Sequence, residues 1–243
     1  MPKFFVRSEQ IKGGIIRVEG PDFDHIVKVR RGAKGQAVTL SDENGFDYSA
    51  EICEIGSDFF LASILDKQRS FTELDVKIHI YQALPKSSKM ELVIQKNVEL
   101  GAFELIPSVL SRCIVKLDGK QEQKISRWQK ISEEAAKQSG RAIIPRIAEP
   151  MRFDQVVKAL KSYEIGFAAY EGDCPLTLKQ LLQKNPKPSD IGFLIGPEGG
   201  FADEEIQILK DNQVPCVTLG ARILRTETAA MAVTAAVSYE YSE

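Results

Sequence analysis

Ile191 to Phe201 reads IGFLIGPEGGF, and further along Leu219 to Ala230 reads LGARILRTETAA. Both have one design: an apolar strand runs into a turn rich in glycine, or in Gly, Arg and Thr, and a helix starts on the far side. In the first, Ile191, Phe193, Leu194 and Ile195 have the bulk and length of a buried parallel strand. Gly196, Pro197, Glu198, Gly199 and Gly200 end it, and the glycines let bare main chain approach a ligand closely. Asp203 is expected to cap a helix to Asn212, with acidic residues in the first turn where the helix dipole favours them. No Lys follows the glycines at GxxxxGK(S/T) spacing, which excludes a P-loop. The second stretch follows another short strand, Val214 to Leu219. Gly220 breaks that strand, Ile223 and Leu224 supply apolar walls, and Arg225, the lone cation within LRTET, follows them before Thr226 or Thr228 caps the final helix. Strand ends that meet helix starts make small-molecule sites. From Ala229 to Val237 the last helix carries one polar side chain, Thr234, so it is expected to be buried on every side, against its own domain and against a second subunit. It is too short to span a bilayer.

Working back from these stretches, strands alternate with helices from Val76 onward. KIHIYQAL is a strand, MELVIQKNVELG an amphipathic helix ended by Gly101, and FELIPSVL a second strand. QKISRWQKISEEAAKQSG is a long helix ended by Gly140, and EIGFAAYEG a further strand. That succession is the α/β signature and implies a mostly parallel sheet. Lys86 and Lys89, with Ser87 and Ser88, follow one strand end; Arg112 and Lys116 follow another; Gln138, Ser139 and Arg141 close the long helix. Together they fall at loops on the ligand-binding side of such a sheet. Trp128 shares a helical face with Ile131 and Ala135, which marks it as packing and not as a base-stacking platform.

The first 70 residues have another rhythm. Short runs (FFV, IIRV, HIVKV, QAVTLSD, DYSAEICEI, FFLASIL) are punctuated by GG, GP and NG turn signals, the pattern of a small β-barrel. Asp22 or Asp24 could cap a short helix through His25 to Arg30, whose Lys28, Arg30 and Arg31 are candidate phosphate contacts. Alone, His25 reads more readily as a half-buried structural histidine. Lys3 and Arg7 flank the first strand. The polar stretch DKQRSFTELD (Asp66 to Asp75) marks a boundary between domains at 1–70 and 71–243.

Composition narrows the setting. Cys53, Cys113, Cys174 and Cys216 lie far apart with no CxxC, and only two histidines are present, so neither a disulfide framework nor a metal site is expected. MPKFFVRSEQ has no signal-peptide core and no segment reaches 18 apolar residues, so a soluble, cytoplasmic protein without a membrane anchor is expected. The net charge of −2 argues against indiscriminate polyanion binding, yet charge is uneven. Residues 1–35 hold eight Lys/Arg against four Asp/Glu and residues 84–146 twelve against seven, whereas residues 147–243 hold nine against fourteen. A basic excess away from the glycine turns suits RNA backbone contacts from the first domain and the middle segment.

Six blocks in order carry a family resemblance: FFVR, HIVKVRRG (25–32), QALPKSSKMELVIQKNVELG (82–101), EEAAKQSGR (133–141), GPEGGF and LGARILRTETA. The chain resembles SPOUT-class RNA methyltransferases, most closely the RsmE-type family that methylates N3 of a uridine in 16S ribosomal RNA of the small subunit. The resemblance implies a PUA-like RNA-binding β-barrel followed by a SPOUT α/β domain, a C-terminal trefoil knot against the usual rule on threading, and a homodimer. It raises the RNA-facing reading of His25. It places S-adenosylmethionine against AAYEG (168–172), LIGPEGG and LGARILRTET, with Ala169, Tyr170, Leu194, Ile195, Gly196, Pro197, Glu198, Gly199, Gly200, Leu219, Gly220, Ile223, Leu224, Arg225 and Thr228 in contact. Two departures stand out: Lys3 replaces the usual Arg and loses its bidentate fork, and Ala202 replaces the usual Ser or Thr of a capping box with Glu205. Arg225 is the candidate for stabilising charge on the deprotonated uracil; Glu198, Glu227 or water could accept the proton. A SPOUT enzyme acting on a ribose 2′-hydroxyl or another base, and a non-catalytic RNA-binding protein, are the rival readings.

Overall fold

The computed structural model describes residues 3–42, 44–86, 89–114 and 121–242. The chain forms two units, Met1–Glu73 with Ala136–Ile144, and Leu74–Ala135 with Pro145–Glu243.

In the first unit, period-two alternation makes strands β1 (Phe4–Val6), β2 (Ile11–Lys12), β3 (Ile15–Glu19), β4 (Ala37–Asp42), β5 (Phe46–Ile55) and β6 (Phe59–Arg69). They pair in the order β1-β4-β5-β6-β3-β2, antiparallel except for β1 with β4. Phe4, Val6, Ile16, Val18, Leu40, Ile52 and Phe60 all turn inward onto one core. HIVKV falls in the short helix expected through His25 to Arg30: α1 (Pro21–Phe23) continues through a π-helical segment, Asp24–Val29. The helix starts earlier than an Asp22 or Asp24 cap would put it, because Gly20 at φ 69° turns the chain and Pro21 takes the first position, where its fixed φ is favourable. β6 also runs through Asp66–Arg69, the first part of the polar boundary stretch, because Asp66 to Arg69 keep pairing with Phe46 to Ser49.

Two ion pairs staple this unit. The Lys3 ammonium bonds Asp47 Oδ2 at 2.7 Å, Ser70 Oγ at 2.9 Å and Thr72 Oγ1 at 3.4 Å. Burial raises the Asp47 pKa, but Lys3, Ser41 and Ser70 outweigh it and hold the carboxyl below its ordinary range. Arg141 pairs with Glu73, whose Oε1 also accepts the backbone N–H groups of Ala142 at 2.7 Å and Ile143 at 3.3 Å.

The second unit holds β7 (Lys77–Ala83), α2 (Lys89–Glu99), β8 (Glu104–Val109), most of α3 (Gln121–Ser139), β9 (Arg146–Ile147), β10 (Met151–Arg152), α4 (Phe153–Leu160) and β11 (Ile165–Ala169). It ends with β12 (Leu176–Thr177), α5 (Leu178–Gln183), β13 (Asp190–Ile195), α6 (Asp203–Asp211), β14 (Cys216–Thr218) and α7 (Thr226–Tyr241). The sheet runs β10-β8-β7-β13-β11-β14-β12 with β9 beside β8, and all its described pairings are parallel. Tyr81, Ile106, Ala168 and Leu194 pack with α4 and α6 through Val156, Leu160, Ile206 and Leu209. α7 packs on α2, β7 and β13. Phe167 and Phe193 are both fully buried, with ring centroids 5.7 Å apart. Each such side chain contributes about 1.5–3 kcal/mol by leaving water.

Two glycines set how closely α4 approaches. Gly166 and Gly192 are register partners in β11 and β13. A Cβ at Gly166 would overlap the Leu160 carbonyl oxygen, and one at Gly192 the Tyr163 ring. The Tyr163 ring belongs to a side chain and can yield at the expense of its hydrogen bond to Tyr81, 2.8 Å, and its packing on His79; a main-chain carbonyl cannot yield. Gly166→Ala is therefore expected to cost about 3 kcal/mol or more and Gly192→Ala distinctly less, as measured by urea unfolding.

Candidate functional site

Because β13, β11 and β14 are adjacent and parallel, their carboxyl ends open on one edge, where ligand sites of open α/β sheets lie. A cleft with about 70 Å³ of internal space, partly open to solvent, lies there between the β11–β12 loop and the β14–α7 loop. Its lining includes Tyr170, Glu171, Leu219, Gly220, Ile223 and Leu224. Thr218 Oγ1 accepts the Gly220 N–H at 3.2 Å, and Gly220 at φ 116° takes a conformation that favours glycine, which shapes the wall. Ile223 is 81% exposed.

Of the residues expected around the cofactor, Ala169, Tyr170, Leu219, Gly220, Ile223 and Leu224 line this cleft. Leu194 and Ile195 do not: they point to opposite faces of β13, and both faces are covered, so both side chains are buried. Gly196, Pro197, Glu198, Gly199, Gly200, Arg225 and Thr228 also lie outside the lining, although Gly200 abuts the Glu171 carboxylate. Glu171, Thr218, Ala221, Arg222 and Ala229 line the cleft and were not singled out by sequence as cofactor contacts, since none of them carries a local pattern of its own.

The GPEGG turn is held by its neighbours. The Arg112 guanidinium donates to the Gly199 carbonyl at 3.0 Å. Glu198 Oε1 accepts the Lys86 backbone N–H at 3.1 Å and lies 3.2 Å from the Lys89 ammonium, which is 3.3 Å from Glu227 Oε2. Burial raises the Glu198 pKa, but the N–H groups of Glu198 and Lys86 and the Lys89 ammonium outweigh it, so the carboxyl sits below its ordinary range. An ionised carboxylate occupied in this way is a poor proton acceptor. Lys89 spans two carboxylates and is thereby a clamp on the turn.

Helix starts differ from expectation. Ala202 occupies the N-cap position of α6 and Asp203 is already helical. Half of the capping box survives: Glu205 Oε2 accepts the Ala202 N–H at 2.9 Å, while Oε1 accepts the Ser111 N–H at 2.8 Å. Arg225 occupies the N-cap position of α7, and its carbonyl accepts the Ala229 N–H at 2.8 Å. Thr226 is not a cap. Its hydroxyl donates to the Gly196 carbonyl at 2.6 Å and accepts from Gln82 Nε2 at 2.9 Å. α7 is buried along Thr226, Ala230, Val233, Thr234 and Val237, with Thr234 Oγ1 at 2.6 Å from Asn97 Oδ1, but it is not buried all round. Met231, Ala232, Ala235 and Ala236 are half-buried and Tyr239 is 87% exposed.

Two cations expected on RNA are internal. Lys3 is occupied by Asp47, Ser70 and Thr72, and Arg141 is buried against Glu73. Arg7, His25, Lys28, Arg30, Arg31, Lys86 and Arg112 are exposed. His25 is thus not half-buried; its ring lies 5.5 Å from that of Phe4. Lys116, Ser87 and Ser88 lie outside the described residues. Trp128 is buried as packing. Among the described residues no cluster of His, Cys, Asp and Glu could hold a metal ion, and no helix is long and apolar enough to cross a membrane. Burial pushes the Cys216 thiol up to about 11, which keeps it protonated.

The chain matches the family described as "RNA methyltransferase domain" over residues 72–238 and that described as "RNA methyltransferase PUA domain" over residues 18–65. It is 32% identical to the ribosomal RNA small subunit methyltransferase E of Bacillus subtilis, over 99% of this chain and 97% of the relative. The protein of the same name from Synechocystis is 31% identical over 93% of this chain and 74% of its own. A crystal structure of the Neisseria gonorrhoeae ribosomal RNA small subunit methyltransferase E bound to S-adenosyl methionine superposes with a TM-score of 0.82 at 28% identity, covering 98% and 97% of the two chains.

The Glu198 contacts carry a pH signature. A carboxyl with a lowered folded pKa contributes stability that is complete above its unfolded value, near 4.5, and is lost as pH falls through the folded value. Glu198→Gln is expected to cost about 1 kcal/mol or less at neutral pH, because solvent screens the pair. The variant should also flatten the acid limb of stability below that value, as read by urea midpoints across pH.

Proposed function

The chain belongs to the family of RNA methyltransferases that join an RNA methyltransferase domain to a PUA domain, named in its relatives ribosomal RNA small subunit methyltransferase E, and from that premise we propose that it methylates N3 of one uridine in 16S ribosomal RNA. The observation that carries the reading is the cleft at the carboxyl ends of β11 and β14, which is followed directly by Arg225 at the start of α7.

The cleft suits S-adenosylmethionine. Leu219, Ile223 and Leu224 give the adenine apolar walls, the turn at Gly220 gives main-chain hydrogen-bonding groups, and the Glu171 carboxylate complements a positive charge. When bound, that cofactor supplies an electrophilic methyl group. The protein's own task is positioning and charge. N3 is buried in a Watson–Crick pair, so the uridine must be unpaired to react, and holding it in line can supply about 7–11 kcal/mol of a bimolecular barrier. Loss of the N3 proton leaves negative charge on O2 and O4, which the exposed Arg225 guanidinium is suited to stabilise, an effect worth roughly 2.7–4 kcal/mol per well-placed donor. Glu198, already bonded to Lys86 and Lys89, is assigned to holding the turn in place of taking the proton.

Further features complete the proposal. The first unit, taken as a closed PUA-like barrel, contacts RNA through Arg7, His25, Lys28, Arg30 and Arg31, with Lys86 and Arg112 contributing from the second. The β13–α6 and β14–α7 segments thread as a trefoil knot. The outward face of α7 through Met231, Ala235 and Tyr239 is covered by a second copy in a homodimer, in the cytoplasm.

Deleting the gene should remove one N3-methyluridine from 16S ribosomal RNA, read by nuclease digestion and mass analysis; loss of a 2′-O-methyl group would favour the ribose reading. Arg225→Ala should lower kcat by about 10²- to 10³-fold with cofactor affinity, measured by calorimetry, nearly unchanged.

A further inference from the structure

Gln82 lies at the carboxyl end of β7, opposite Ile195 of β13 and Pro107 of β8, and is fully buried. Its Nε2 donates to the Ala83 carbonyl at 3.0 Å and to Thr226 Oγ1 at 2.9 Å. Thr226, 5% exposed, donates its own hydroxyl hydrogen bond to the Gly196 carbonyl at 2.6 Å. Three segments distant in sequence therefore meet at one hydroxyl: the end of β7, the first residue of the GPEGG turn, and the residue that follows Arg225.

A buried amide could be there only as glue, but its other end argues otherwise. Gln82 Oε1 is buried with no hydrogen-bond partner among the described residues. A buried acceptor left unpaired destabilises the fold, so an apolar residue of similar volume would serve stability better. A polar group kept at a cost to stability marks a site where geometry matters more.

We propose that Gln82 and Thr226 are positioning residues for methyl transfer: their hydrogen-bond chain sets the start of α7, and with it Arg225, at a fixed distance from the Gly196 turn. The inference rests on the reaction and the role of Arg225 proposed above. Lys89, spanning Glu198 and Glu227, bears on the same two segments from the start of α2.

The test compares wild type, Gln82→Leu, Thr226→Val, Thr226→Ser and the double variant Gln82→Leu/Thr226→Val. The measurements are thermal unfolding, S-adenosylmethionine binding by calorimetry, and single-turnover methylation of small-subunit RNA lacking the modification. Gln82→Leu and Thr226→Val should each slow methyl transfer roughly ten- to a hundredfold, with cofactor Kd within about threefold of wild type. Gln82→Leu should melt at or above the wild-type temperature. The double variant should be no slower than the worse single one, as expected of groups acting as a unit, and Thr226→Ser should recover most of what Thr226→Val loses. Single variants that methylate at the wild-type rate would overturn the inference, and so would a Gln82→Leu chain that melts lower or fails to fold, which would make the amide structural. Wild-type protein that binds the cofactor but methylates no such RNA would instead overturn the proposed function.

Discussion

β13 is the constraint on which the second unit depends. Flanked by β7 and β11 and covered on both faces, it can carry no polar side chain between Ile191 and Ile195, and its main chain must be satisfied entirely by its neighbours. That demand fixes where the strand stops. Gly196 is the first residue past it, and its carbonyl is met by a side chain, Thr226, instead of by another strand. From that junction the turn, the start of α7 and the edge of the cleft take their positions.

The glycines make this arrangement compact in two ways. Gly166 and Gly192 lie side by side in the sheet and allow the end of α4 to settle on it at main-chain distance, where any side chain would hold it off. At Gly220 the advantage is conformational, a positive φ that ends β14 and opens the wall of the cleft. The Glu205 carboxylate joins the β8 exit to α6 by accepting one backbone N–H from each. With Ala202 at the N-cap, this carboxylate supplies the only side-chain half of the capping box among the described residues.

Much of this was legible in the chain. Long periodic segments such as 121–139 and the apolar run into GPEGG show their element type because burial on one face or both leaves a pattern. β9, β10 and β12, of two residues each, leave none. The destinations of polar side chains were less legible, because sequence gives residue type and not partner. Lys3 and Arg141 carry the charge that suits RNA yet spend it on Asp47 and Glu73, and Thr226 resembles a cap yet bonds across to Gly196. Leu194 and Ile195 belong to a motif that borders the cleft, but they point to opposite faces of a strand covered on both, so both are buried. Glu171 and Arg222 line the cleft from loop positions with no local pattern, so proximity alone reveals them.

The Glu73–Arg141 pair bears on modularity. The chain leaves the first unit after Glu73, builds about sixty residues of the second, and returns to contribute Ala136–Ile144. A fragment ending at Glu73 would retain that carboxylate but lack the guanidinium and the two amides that satisfy it. The amino-terminal unit is thus discontinuous in sequence: the partners that satisfy Glu73 arrive only with Arg141, Ala142 and Ile143, after most of α3 has been built.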